Sequence, residues 1–156
     1  MNLSTTNQTS KLTFFFLLFI SYFTGFLIMA FLQTPEQMAW YKTLVQSPIA
    51  PPEITFGIVW GILYFLIPLS AFLVWDKISH TLFYGQYIIQ LIWSFVFFQS
   101  HCLWTGFVIL LCLCLVNGIL FKQFYQHSKT SGLIFLPYVL WSVFATLLNF
   151  TVAYLN

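Results

Sequence analysis

Residues 132–155 read GLIFLPYVLWSVFATLLNFTVAYL, twenty-four positions without one charged side chain. About 20 mostly apolar residues in a helix cross the hydrocarbon core of a bilayer, so this stretch is long enough to span it. Further towards the N-terminus, 12–32, 53–75, 81–100 and 103–121 have the same character, with Glu53 as their single charge. The breaks between them are polar or carry proline. The chain is 60% hydrophobic, 22% aromatic and 5% charged, whereas soluble domains average about 25% charged residues. Its solvent is therefore lipid. These runs predict an all-α integral membrane protein, a five-transmembrane-helix bundle forming a single domain over 1–156.

The longest connection is 33–52, which reads as a lid loop over the bundle. Within it Trp40, Tyr41, Leu44 and Val45 recur at helical spacing beside Gln37 and Lys42, which predicts a short interfacial helix over 36–45. Pro48, Pro51 and Pro52 stop its continuation. Short hinges are expected at 76–80 and around His101, and a polar break over 122–131. Lys11, Lys77, Lys122 and Lys129 fall on one side of these spans and Lys42 on the other, a bias that puts the N-terminus in the cytoplasm. The polar leader 1–11 precedes an apolar run longer than a signal-peptide core, and 12–32 is read as a mature helix.

Several function classes are excluded. Five lysines, no arginine and no basic cluster leave nucleic-acid binding unsupported. Cys102, Cys112 and Cys114 match neither a zinc-ligand spacing nor a disulfide framework, so no metal site is expected and they read as buried packing residues. Glu53, Asp76 and the histidines lie at span edges, which disfavours a proton-coupled pump. No internal repeat, HExxH, glycine-rich phosphate loop, Ser/His/Asp set or catalytic carboxylate pair occurs.

The spans do carry aromatic and amide stripes. Gln86, Gln90, Trp93 and Phe97 follow steps of four, three and four. Phe56, Trp60 and Tyr64 repeat every fourth residue, and Tyr138, Trp141, Ala145 and Asn149 do much the same. Two readings stay open: helix-to-helix adhesion by packing and interior amides, or the walls of a ligand cavity. Ala145 leaves space on its face for either. Trp75 and Trp104 read as interfacial anchors.

The chain resembles the TspO/MBR family, the tryptophan-rich sensory and translocator proteins also called peripheral-type benzodiazepine receptors. The likeness rests on Trp40-Tyr41, Leu44 and Pro51-Pro52 in the loop, and on Phe56-Gly57, Val59-Trp60 and Leu63-Tyr64 in the second span. It continues through Trp93-Ser94 and Phe97-Phe98, and is densest in Leu136-Pro137-Tyr138, Trp141, Phe144-Ala145, Leu148-Asn149 and Asn156. The resemblance implies a five-helix bundle, usually a homodimer, whose ligand site carries over to Tyr41, Phe56, Trp60, Tyr64, Gln90, Trp93, Ser94, Phe97, Trp141, Ala145 and Asn149. It implies a porphyrin ligand such as protoporphyrin IX or haem, with no cofactor required. Some bacterial members degrade protoporphyrin in light, a role that would fall to Trp60 and Trp141. This chain departs from the family at Ile49, where the loop tryptophan stands, at Gln46-Ser47, at Gln90 in place of asparagine, and at Ile109 in place of an acid. Phe150, with no basic residue after Lys129, lacks the sterol pattern. The leading expectation is a membrane receptor or sensor that stacks a tetrapyrrole on Trp60, Trp93 and Trp141, its polar edge bonded by Gln90, Asn149 or Tyr41. The alternatives are a light-dependent porphyrin-degrading enzyme, a carrier of tetrapyrroles or other metabolites, and a structural bundle whose protein partners matter.

Overall fold

The computed structural model describes the backbone of residues 3–32 and 34–156, and the side chains of 12–25, 27 and 34–156. The elements are helices α1 (Leu3–Leu32), α2 (Pro35–Thr43), α3 (Glu53–Phe72), α4 (His80–Ser94), α5 (Leu103–His127) and α6 (Lys129–Leu155). A 3-10 turn at Trp75–Lys77 separates α3 from α4, and a π-helical turn at Phe95–Gln99 extends α4. No strand occurs among the described residues. Four stretches, Glu53–Phe72, His80–Gln99, Leu103–His127 and Lys129–Leu155, are long and apolar enough to cross a membrane; the described apolar part of α1 is Leu12–Gly25. The chain is a multi-pass integral membrane protein.

Local chemistry explains the boundaries. Thr34 precedes α2, the Gln37 side chain reaches back to its backbone N–H at 2.7 Å, and Pro35 opens the helix. The Ser79 hydroxyl accepts the Leu82 N–H and caps α4, and the Ser128 hydroxyl accepts the Ser131 N–H and caps α6.

Several sequence boundaries are corrected. The break expected at 122–131 narrows to Ser128 alone: α5 continues to His127 and α6 begins at Lys129. Polar residues there lengthen both helices, because one extended serine is enough to cap the second, and Gln123 accepts the Ser79 N–H at 2.9 Å. The span expected over 53–75 ends at Phe72, and the hinge expected at 76–80 is the 3-10 turn followed by the Ser79 cap. The one expected over 81–100 starts at His80 and finishes in the π turn, and α1 begins before 12. The lid helix lies at Pro35–Thr43. Cys102 and Cys112 are exposed and Cys114 is half-buried, so the cysteines are not core residues. Trp75 packs edge-on against Phe14 and Phe83.

The helices neighbour one another in the order α1, α3, α6, α5, α4, and α4 touches α1 to close the ring. The α5 and α6 pair is the most intimate. At Gly132 a Cβ would stand 2.7 Å from the Tyr125 Cα, so only glycine permits the approach. Large apolar side chains cover the outside, for example Ile54, Ile58 and Ile62 on α3 and Leu133, Leu140 and Leu147 on α6; in a bilayer this is the expected surface. The packed core, with Ile67, Ala71, Phe83, Leu120, Phe124 and Phe135, fills the half of the bundle remote from α2.

Candidate ligand-binding cavity

The other half is hollow. A cavity of about 350 Å³ lies among α3, α4 with its π turn, and α6, with Met38 and Tyr41 of α2 across its end. Every site residue expected from the sequence lines it: Tyr41, Phe56, Trp60, Tyr64, Gln90, Trp93, Ser94, Phe97, Trp141, Ala145 and Asn149. The reason is helical periodicity, since positions three or four apart share a face, and the ring order aims the three striped faces inward. Trp60 leans on Tyr64 with ring centroids 5.4 Å apart, and Phe56 meets Trp141 edge-on at 5.8 Å. Ala145, one helical turn from Trp141, also lines the cavity.

Met38, Glu53, Gly57, Phe98, Leu148 and Val152 also line the cavity and were not anticipated. Gly57 and Leu148 could have been found from the stripes and the family motif. Phe98 could not. In a regular helix it would diverge from Phe97, but the wider π turn brings both inward, their rings 4.9 Å apart. Single-turn π segments of this kind occur frequently at functional sites.

Burial forces the polar groups to find partners. Gln90 donates to the Tyr64 hydroxyl at 2.8 Å and accepts from Tyr138 at 3.1 Å. Tyr138 also donates to Gln86 at 2.8 Å, and Gln86 donates to the Tyr22 hydroxyl. This ladder joins α3, α4, α6 and α1 just beneath the cavity floor. Asn149 accepts from the Trp93 indole at 3.0 Å and donates to the Leu103 carbonyl at 2.9 Å. The two amides expected to bond a ligand are thus already committed to the walls. Asn117 lies beside the Tyr138 hydroxyl, yet neither of its amide atoms has a partner at hydrogen-bond geometry.

The lid is tied down at three places. Trp40 stacks on His101 at 3.8 Å and meets Phe97 edge-on; His101 turns there with φ of 55°. Asn156 at the end of α6 bonds both backbone groups of Val45, at 2.9 and 3.2 Å. The Thr151 hydroxyl donates to Ser47 at 2.6 Å. Burial first, and then the Glu53 carboxylate, hold the Tyr41 phenol above its usual range, so it stays a neutral hydroxyl. Among the described residues no three His, Cys, Asp or Glu side chains converge as metal ligands would.

The family profile described as TspO/MBR matches residues 15–155. The tryptophan-rich protein TspO of Archaeoglobus fulgidus is 31% identical over 133 residues, covering 81% of this chain and 86% of that protein. The tryptophan-rich sensory protein of Cereibacter sphaeroides is 31% identical over 121 residues, 75% of this chain and 77% of the relative. The human translocator protein is 28% identical over 126 residues, 75% of each chain.

Proposed function

The chain belongs to the TspO/MBR family, and we propose that it is a membrane receptor or sensor whose cavity holds a flat hydrophobic ligand of the porphyrin class, protoporphyrin IX or haem. The observation that carries this reading is the convergence of Trp60, Trp93 and Trp141, from three different helices, on one apolar cavity. Its volume falls within the range of about 300–1,000 Å³ typical of small-molecule sites, which are mostly apolar with a few polar groups. Indoles present wide, polarisable faces to a planar ring, each contact contributing about 0.5–1.5 kcal/mol beyond simple burial. In this reading α1 is the fifth transmembrane span, α2 lies at the interface as a lid, the chain forms one domain, and two copies pair as a homodimer.

Titration of the detergent-solubilised protein with protoporphyrin IX, followed in the porphyrin's own absorption band, tests the site. Trp60→Phe combined with Trp141→Phe should weaken binding about tenfold, from roughly 0.7 kcal/mol per indole. Unchanged affinity would exclude the cavity as the binding place.

The placement of Trp60 and Trp141 on the same cavity also favours a second reading, light-dependent porphyrin degradation. The protein's contribution would be to hold two oxidisable indoles against the bound ring and to exclude water, while the excited porphyrin supplies the photochemistry and dioxygen is the oxidant. Illumination should then bleach the porphyrin band in proportion to protein and leave a distinct product spectrum. A band that bleaches equally with the Trp60→Phe, Trp141→Phe double variant removes this reading.

A further inference from the structure

The cavity's inner amides are engaged by groups of the walls, which raises the question of what meets the polar edge of a ligand. Gln90 is bonded to Tyr64 and Tyr138, and Asn149 to Trp93 and Leu103. The polar groups left at the lid end are the Tyr41 hydroxyl and the Glu53 carboxylate, both on the cavity wall. Lys42, next to Tyr41 on α2, stands with its Nζ 3.3 Å from the Glu53 carboxylate. Helix α2 belongs to the lid and Glu53 is the first residue of α3, so this ion pair links the lid to a carboxylate on the cavity wall. Both side chains are about 60% exposed. A pair so open to water is weakly held, and the lysine has a long flexible stem with three donors. It can change partner at little cost.

We propose that Lys42 and Glu53 form a charge-selecting gate at the mouth, in which Lys42 leaves Glu53 to bind a carboxylate on the ligand's rim. The inference rests on the receptor reading above and adds which chemistry the mouth selects. Glu53 has two opposing effects on an anionic ligand: it competes for the lysine and repels the incoming charge. The gate therefore sets the preference between ionised and neutral forms of the same planar ring. A purely structural role is the competing explanation, because Lys42 in the last turn of α2 and Glu53 in the first turn of α3 each suit their helix dipoles. That role affects the lid alike for every ligand.

The test compares protoporphyrin IX, whose two carboxylates are ionised at pH 7, with its uncharged dimethyl ester. Lys42→Gln should weaken the diacid about three- to fivefold and leave the ester unchanged, the scale of one exposed ion pair. Glu53→Gln should strengthen the diacid by a similar factor, and Lys42→Arg should keep the wild-type preference. Raising the salt concentration should lower diacid affinity in the wild type and not in Lys42→Gln. If diacid and ester shift together, or neither shifts, the gate is refuted while the cavity stands. If the wild type binds neither compound, the receptor reading falls and takes the gate with it.

Discussion

Removing one oxygen atom, in Tyr138→Phe, probes the polar ladder beneath the cavity. Tyr138 is 1% exposed. Its ring packs edge-on against Phe135 at 5.5 Å and tilted against Trp60 at 6.3 Å. Phenylalanine preserves these contacts, so the change isolates the hydroxyl. That hydroxyl is shared between the Gln86 and Gln90 carbonyl oxygens, at 2.8 and 3.1 Å. Interhelical hydrogen bonds in membranes average about 0.6 kcal/mol and reach about 1.7, and one hydroxyl proton shared between two acceptors counts as one such bond. Two buried acceptors are then left without this donor, and an unsatisfied buried group costs about 1–3 kcal/mol. The expected destabilisation is about 2 kcal/mol. Reversible unfolding in mixed micelles, with tryptophan fluorescence as the probe, measures it directly. By soluble-protein scaling the melting temperature should fall by about 4–8 °C. A double-mutant cycle with Gln86→Leu should show a coupling of at least about 0.5 kcal/mol. A Tyr138→Phe protein within about 0.3 kcal/mol of wild type would refute the ladder as a structural element.

Gln90→Leu should lower stability by about 1 kcal/mol through its two lost bonds while changing porphyrin affinity less than twofold, because its amide serves Tyr64 and Tyr138; parallel unfolding and binding titrations separate the two effects. Asn117→Leu should stabilise the protein by about 1 kcal/mol, since it removes a buried amide without partners; a melting temperature below wild type would show that the amide is satisfied. Gly132→Ala should destabilise by about 2 kcal/mol or more, because the added Cβ meets the Tyr125 backbone and a flexible side chain cannot yield there. Normal expression and melting of that variant would contradict the closeness of α5 and α6.

How much was readable in advance depended on the range of the interaction. The spans, the stripes and the lid helix follow from composition and periodicity, which act over one or two turns of a single helix. Phe56, Trp60 and Tyr64 had to share a face whatever packed against them. Helix ends were less legible. The polar residues between 122 and 131 read as a break because a run of lysine, glutamine and serine ordinarily lies outside lipid, but outside lipid is compatible with helix. One serine cap turned an expected ten-residue connection into a single-residue joint.

From the sequence alone came the membrane environment, the helical class and the inward candidates on each helix, because burial in hydrocarbon leaves a backbone few ways to satisfy its own hydrogen bonds. The tertiary structure decided which helices are neighbours, that the stripes enclose a space, and that the π turn adds Phe98 to its wall. It also decided that Gln90 and Asn149 bond the walls, and that Lys42 of α2 pairs with Glu53 of α3. Each of these depends on a partner brought near in space by the fold, and no local spacing encodes where that partner will stand.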